Sequence, residues 1–160
     1  MNGKITTIEN FKLIGLGWTG PYEAAARGDI VKVWKNFFSR LPEIAGIVEK
    51  NVYYAPFHSR KTDFTYYVGV KTEADVQVPT GLIQLAIPVQ QYAMFTHQGP
   101  ISQVEQSYLQ AWEWMKEQKL DKDVSVLTLE RYDHRFHPIH DEAESETNEY
   151  EIYIPVQKRE

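Results

Sequence analysis

The sequence predicts an α+β fold, in which two pseudo-symmetric strand-helix-strand-strand repeats form a curved, mainly antiparallel sheet with two helices on one face. Two observations support this fold class. The same order of strand-like and helix-like apolar patterns occurs in each half of the chain, and short motifs recur at matching places. Residues 18–21 (WTGP) correspond to residues 97–100 (HQGP), and residues 67–70 (YVGV) correspond to residues 153–156 (YIPV). Two unequal copies of a long unit indicate a pseudo-twofold domain rather than a solenoid.

The first repeat begins with a strand over residues 11–20, which ends at a Gly-Pro turn. Asp29 then offers an N-cap for a helix, whose apolar residues recur at helical spacing until Pro42. Two strands follow at residues 52–58 and 64–71, with a polar turn between them.

The second repeat has the same order. A strand over residues 91–97 leads into a Gly-Pro turn, and apolar residues from Val104 to Met115 then mark one face of a helix. Strands over residues 124–133 and 149–157 complete the repeat, and a long acidic loop separates them.

Length and composition favour one domain over residues 1–160, with repeat one at about 1–72, a connector at about 73–88 that includes a short strand at 82–87, and repeat two at about 89–160. The absence of cysteine excludes disulfides and thiolate metal sites. A net charge of -5 argues against a nucleic-acid-binding surface. No secretory signal and no apolar run of roughly 20 residues is present, so a cytoplasmic protein is expected.

Three motifs, in order, carry a family resemblance. Residues 91–100 (QYAMFTHQGP), 129–133 (LERYD) and 150–156 (YEIYIPV) resemble the GyrI-like effector-binding family over nearly the whole chain. The family includes the drug-sensing C-terminal modules of multidrug transcription activators, free-standing gyrase-modulating proteins and small hydrolases that open strained rings. Because no helix-turn-helix region precedes the domain, the chain is expected to be a free-standing, single-domain member.

The resemblance implies a concave pocket between the two halves, lined by aromatic rings and holding one buried glutamate, which corresponds to Glu130. The expected function is to sense or sequester a lipophilic, cationic or amphiphilic small molecule, in transcription regulation or in a drug response. No cofactor, no membrane partner and no direct contact with nucleic acid is expected.

Strand periodicity supports a special position for Glu130. It shares one strand face with Tyr132, whereas Leu129 and Arg131 share the other. Leu129 is expected to face the helices and Glu130 the opposite, concave face, where burial would raise the pKa of its carboxyl. The alternative is an exposed strand glutamate that pairs with Arg131 or with a lysine across the sheet.

Tyr67 and Tyr153 occupy matching positions in the two repeats, each opposite an apolar set of side chains, so they are expected to flank the cavity. The alternative places both at a solvated rim. Trp112 lies in an apolar helical stripe and has core packing as its alternative. The further candidates for contact with the ligand come from the repeat junctions and the family pattern, and they are Trp18, Tyr54, Phe95, Trp112 and Tyr132.

Two other functions remain open. In the first, the domain is a hydrolase in which Glu130 acts as general base on a water while Tyr67 or Tyr153 orients the substrate. In the second, it modulates a protein such as DNA gyrase or a regulator through an exposed surface. A hydrolase would differ from a binding protein by turning over its substrate. A modulator would differ by associating with another protein.

A histidine series, His134, His137 and His140, lies in the acidic loop with carboxylates nearby. Pro138 interrupts any helix that would bring the three imidazoles onto one face, and solvated loop histidines are far more common than ligands. No metal site is therefore predicted.

Overall fold

The computed structural model describes residues 2–158. The chain divides into two compact units. Residues 10–88 form one of them, here called the N-unit. Residues up to Glu9 together with those from Val89 onward form the other, the C-unit.

Nine strands and three α-helices form within the described residues, and all the strand pairings inside each unit are antiparallel. The predicted α+β, mainly antiparallel class is thus confirmed. In chain order the elements are β1 (Lys4–Ile8), β2 (Phe11–Pro21), α1 (Tyr22–Ala26), α2 (Asp29–Arg40), β3 (Tyr53–Ser59), β4 (Asp63–Thr72), β5 (Ile83–Ile87), β6 (Gln90–Gln98), α3 (Val104–Glu117), β7 (Leu120–Lys122), β8 (Thr128–Tyr132) and β9 (Glu149–Lys158).

The N-unit sheet has the strand order β3-β4-β2-β5. Gly15 of β2 lies opposite Gly69 of β4, and a Cβ atom at Gly15 would come within 1.7 Å of the Val68 carbonyl oxygen. Only glycine therefore allows this close approach of the two strands. Helix α2 packs on one sheet face, where the Trp34 indole donates a hydrogen bond of 3.2 Å to the Tyr66 hydroxyl.

The start of α2 differs from the sequence prediction. Gly28, with a φ of 97°, occupies the cap position, and Asp29 is the first helical residue instead of the N-cap. A positive φ turns the chain sharply into the helix and suits glycine. The Asp29 carboxylate lies in the first turn, 3.9 Å from the Lys32 amine. Its negative charge interacts favourably with the helix dipole at this end, although it does not act as the N-cap. The short helix α1 was not predicted.

The C-unit sheet has the strand order β1-β6-β9-β8, and β7 also pairs with β9. Helix α3 packs against this sheet, with the Trp114 ring edge-on to Phe95 at 5.5 Å. Strand β1 was not predicted, and it pairs with residues 90–94 of β6. The N-terminal segment thus lies with the second repeat, although the predicted boundaries assigned it to the first.

The predicted strand over residues 124–133 is shorter in the structure, where β8 begins at Thr128. The Asp123 carboxylate accepts hydrogen bonds from both the backbone N–H and the hydroxyl of Ser125, and so closes a turn ahead of the strand. Apart from this shortened strand, the predicted strands and both long helices form at the expected places. No α-helix within residues 2–158 is both long and apolar enough to cross a membrane.

Candidate functional site

Glu130, the carboxylate that the sequence analysis singled out, is buried, with 8% of its surface exposed. It lies in β8 opposite Ile152 of β9. Both carboxylate oxygens accept hydrogen bonds from tyrosine hydroxyls. Tyr108 of α3 donates to Oε2 at 2.6 Å, and Tyr132 of β8 donates to Oε1 at 2.7 Å. The carboxylate is therefore fixed between a helix and a strand.

The face on which Glu130 lies corrects the sequence prediction. Directly opposed residues of antiparallel strands share a sheet face, so Glu130 lies on the face of Ile152 and of its partner Phe95. Phe95 packs against α3, and the bond from Tyr108 also comes from α3. Glu130 thus faces the helix, and Leu129 takes the other face. The prediction assumed that the apolar side chain, Leu129, faces the helix. It failed because α3 supplies a hydroxyl donor for the Glu130 carboxylate.

Electrostatics at Glu130 are set by burial. Removal from water raises the pKa of the Glu130 carboxyl, and the hydrogen bonds from Tyr108 and Tyr132 act in the opposite direction. No lysine or arginine side chain among residues 2–158 forms an ion pair with this carboxylate. Arg131, the partner in the alternative interpretation, instead pairs with Asp133 at 3.3 Å and with Glu151 at 3.2 Å.

Aromatic rings extend in two directions from Glu130. On the strand side, the Tyr132 ring packs against Tyr150, with ring centroids 4.7 Å apart. On the helix side, the Tyr108 ring lies 6.5 Å from Trp112, which is 37% exposed. Trp112 is therefore not a core residue, and the rings of α3 lead from the protein surface to the buried carboxylate.

The half-buried Lys122 amine lies 5.5 Å above the Trp112 ring. Burial lowers the pKa of this amine. The geometry matches a cation–π contact. Trp112 thus already has a cation over its ring in this structure.

Two further predicted residues lie in the C-unit. Phe95 is fully buried against Trp114. Tyr153 lies on the sheet face away from α3, as predicted, and its hydroxyl donates to Glu151 at 2.7 Å. Because Glu130 lies on the helix face, the two residues do not share a face, although both were predicted on the concave one.

The three remaining predicted residues lie in the N-unit. Tyr67 lies on the sheet face opposite to α2, as predicted, and its ring occupies the space beside Gly17. The Trp18 ring packs edge-on against another ring of the same unit, and the Tyr54 hydroxyl donates a hydrogen bond of 2.8 Å to Glu49. Of the eight predicted site residues, Glu130 and Tyr132 are linked to each other by a direct hydrogen bond.

Sequence reasoning missed Tyr108 as a site residue. The residue was recognised only as part of the apolar stripe of a helix. Its hydroxyl reaches Glu130, 22 positions along the chain, because of how α3 lies over β8. A tyrosine in an otherwise apolar helical stripe is the one signal in the sequence that indicates a buried partner for its hydroxyl.

The histidine series does not form a metal site in the described part of the chain, where no group of three or more His, Cys, Asp or Glu side chains could hold an ion. The rings of His137 and His140 stack at 4.2 Å, and the His134 side chain is exposed. His137 accepts hydrogen bonds from two backbone N–H groups of its own loop. These contacts organise the loop.

The fold is α+β with a mainly antiparallel sheet, and a family of small-molecule-binding domains matches the chain. The chain belongs to the GyrI-like family, since the family model described as a GyrI-like small molecule binding domain matches residues 1–157. The resemblance inferred from the three motifs is thereby confirmed. A curated relative, the transcriptional regulator BrlR of Pseudomonas aeruginosa, is 27% identical over 98% of this chain. This chain spans 56% of the length of that relative.

Three solved structures share the fold. The EcmrR C-terminal domain matches with a TM-score of 0.72 and 15% identity, over 99% of this chain and 98% of that one. SAV2435 bound to tetraphenylphosphonium matches with a TM-score of 0.71 and 15% identity, over 98% and 94% of the two chains. A hydrolase encoded by lin2189 from Listeria innocua has a TM-score of 0.63 and 10% identity, over 97% and 91%.

Proposed function

We propose that this domain binds lipophilic cations and that Glu130 is their counter-ion. The observation that carries the proposal is a buried carboxylate held by two hydroxyl groups, with no ion-pair partner among the described residues. A buried charge that lacks a counter-charge is unfavourable, so a cation that reaches Glu130 gains more than it would from an exposed carboxylate.

The two tyrosines suit this role because they stabilise the carboxylate without neutralising it. A hydroxyl donor keeps the negative charge in place, whereas a lysine or arginine would already cancel it. The rings of Tyr108 and Tyr132 lie next to the carboxylate. Each ring face that meets the ligand would add about 0.5–2 kcal/mol of cation–π attraction. An apolar cation therefore satisfies both the charge and the rings.

The comparisons support the class of ligand. SAV2435, which shares the fold, was solved bound to tetraphenylphosphonium, a lipophilic cation. BrlR is a transcriptional regulator, which supports a role in sensing a compound over simple storage. In the proposal, Tyr67, Trp18, Tyr54, Phe95 and Trp112 remain predicted ligand contacts. Tyr153 is left out, because it lies on the sheet face opposite to Glu130.

Isothermal titration calorimetry with tetraphenylphosphonium and with neutral triphenylphosphine oxide tests the counter-ion role. Glu130→Gln keeps the shape of the side chain and removes its charge, so we expect the phosphonium to lose about 1–3 kcal/mol of binding energy and the neutral compound much less. Glu113→Gln, on the exposed side of α3, is the matched control and should bind as the wild type does. Equal losses for both compounds would contradict the proposal.

The raised pKa of Glu130 favours one second candidate, a hydrolase that uses this carboxylate as general base. Its test is hydrolysis of an aryl epoxide, in which water adds across one C–O bond to give a diol. Under this alternative, Glu130→Gln retains binding of the epoxide and loses about 100-fold or more in turnover. The binding proposal expects no turnover by the wild type.

A further inference from the structure

The Lys122 side chain lies on the helix side of the C-unit sheet. Strand β7 places Lys122 opposite Val156 of β9. Opposed residues share a sheet face, and so do alternate residues of one strand, so Lys122 lies on the face of Ile152 and Glu130. Its ammonium lies 5.5 Å above the Trp112 ring of α3. A short strand thus places a cation at the helix that packs over Glu130.

The Lys122 ammonium is held over the ring without a counter-charge. No carboxylate among residues 2–158 forms an ion pair with it. The side chain is half-buried, and burial lowers the pKa of the amine, so its charged form is only partly hydrated. A lysine carries its charge on a flexible four-carbon stem. The ammonium can therefore move from the ring into water without breaking an ion pair.

The ring that Lys122 covers is the outer member of the aromatic series that leads to Glu130. Trp112 is 37% exposed, and the Tyr108 ring lies 6.5 Å from it. The Tyr108 hydroxyl in turn donates to Glu130. Leu109, which is 60% exposed, lies three positions before Trp112 on α3, so an apolar side chain adjoins the ring on the helix surface. The surroundings of the Trp112 ring thus suit a cation with apolar substituents.

A bound cation and the Lys122 ammonium would compete for this ring. Both are attracted by the negative face of the indole, and two like charges beside one ring repel each other. A lipophilic cation also buries apolar surface, which a lysine ammonium does not. A small, well-hydrated cation has no such advantage over Lys122. The competition therefore favours ligands that are both cationic and apolar.

We propose that Lys122 is an internal competitor, which covers Trp112 in the free protein and leaves the ring when a lipophilic cation binds. It lowers the affinity for every cation that uses this ring, so that only those with enough apolar surface bind well. The inference rests on the proposed cation binding at Glu130. It concerns the affinity and selectivity of that site and leaves the counter-ion role of Glu130 as it is.

Calorimetry with tetraphenylphosphonium tests the competition. Lys122→Met keeps an unbranched side chain of similar length and removes the charge. We expect it to bind the phosphonium about threefold to tenfold more tightly than the wild type, because no cation has to leave the ring. Lys4→Met makes the same change in net charge at an exposed position of β1 and should bind as the wild type does. An unchanged affinity in Lys122→Met, or an equal gain in Lys4→Met, would overturn the proposal.

A double-mutant cycle separates competition at the ring from general repulsion between charges. Trp112→Leu removes the ring for which the two cations compete. In that background, Lys122→Met should leave the phosphonium affinity unchanged, because the two substitutions are coupled through the ring. A gain of the same size in both backgrounds would mean that Lys122 acts at a distance, and the competition would be refuted.

The displacement can be observed directly by NMR. In the free protein we expect nuclear Overhauser contacts between the ε-methylene protons of Lys122 and the ring protons of Trp112. Saturation with tetraphenylphosphonium should remove them. If they persist while Glu130→Gln still weakens phosphonium binding, the inference about Lys122 fails and the counter-ion role stands. If neither the wild type nor Lys122→Met binds the phosphonium, both proposals fail.

Discussion

Removal of the Tyr132 hydroxyl tests whether the two tyrosines hold Glu130 in its charged form. Tyr132 and Glu130 are both nearly inaccessible to water, and Tyr132→Phe leaves Oε1 without its 2.7 Å donor. A hydrogen bond to a charged group contributes about 1.5–3 kcal/mol to stability, and one to a neutral group about 0.5–1.5 kcal/mol. The loss of stability should therefore be larger above the pKa of Glu130 than below it.

The sign of the pH dependence follows from burial. The folded-state pKa of Glu130 is raised, so its proton stabilises the folded protein at low pH. This stabilisation is fully present below the unfolded pKa and is lost as pH rises through the folded pKa. Tyr132→Phe removes a bond that favours the charged form, so it raises the folded pKa further and extends the loss to higher pH.

Urea denaturation at a series of pH values measures this effect, and a carbon-13 NMR titration of the Glu130 carboxyl gives its pKa in wild type and variant. Tyr67→Phe is the matched control, because no hydrogen bond from the Tyr67 hydroxyl occurs within the described residues. It should change stability equally at every pH. A Tyr132→Phe loss that is constant with pH, or an unchanged Glu130 pKa, would refute the reasoning.

Three further predictions concern ligand affinity and stability. Calorimetric affinity for tetraphenylphosphonium should rise with pH through the raised pKa of Glu130 and then level off, since only the carboxylate attracts the cation. Gly15→Ala should cost about 3 kcal/mol in urea denaturation, because its Cβ would collide with the Val68 carbonyl oxygen. His97→Phe should cost about 1–3 kcal/mol in the same assay, because it leaves the buried Ser107 hydroxyl without its partner.

The elements that sequence predicted well are those whose burial pattern is local. Along β4, alternate side chains from Phe64 to Val70 are buried, and the period of two is visible in the sequence. Strand β1 was missed because it is five residues long, lies at a sheet edge and owes its pairing to residues 90–94, far along the chain. Such pairing leaves no periodic signal in a short segment.

The candidate site was predicted in part. Glu130 was identified from its family motif and its strand position, and its burial and raised pKa were expected. The predicted direction of the Glu130 side chain was wrong, because Leu129 was assumed to lie on the face that meets the helix. Leu129 is fully buried although it lies on the other face, so both faces of β8 are covered. Where both faces are buried, alternation no longer tells which one meets the helix.

A second group of carboxylates in the same unit explains why Glu130 is the better candidate for a cation. Asp133 and Glu151 are bonded by Arg131 and Arg135, so their charges are compensated within the protein. A ligand cation there would have to displace a guanidinium that fits carboxylates bidentately. At Glu130 it would find the charge held by hydroxyls alone, in surroundings that exclude water. Attraction to a cation is strongest where a carboxylate is both desolvated and uncompensated, and Glu130 meets both conditions.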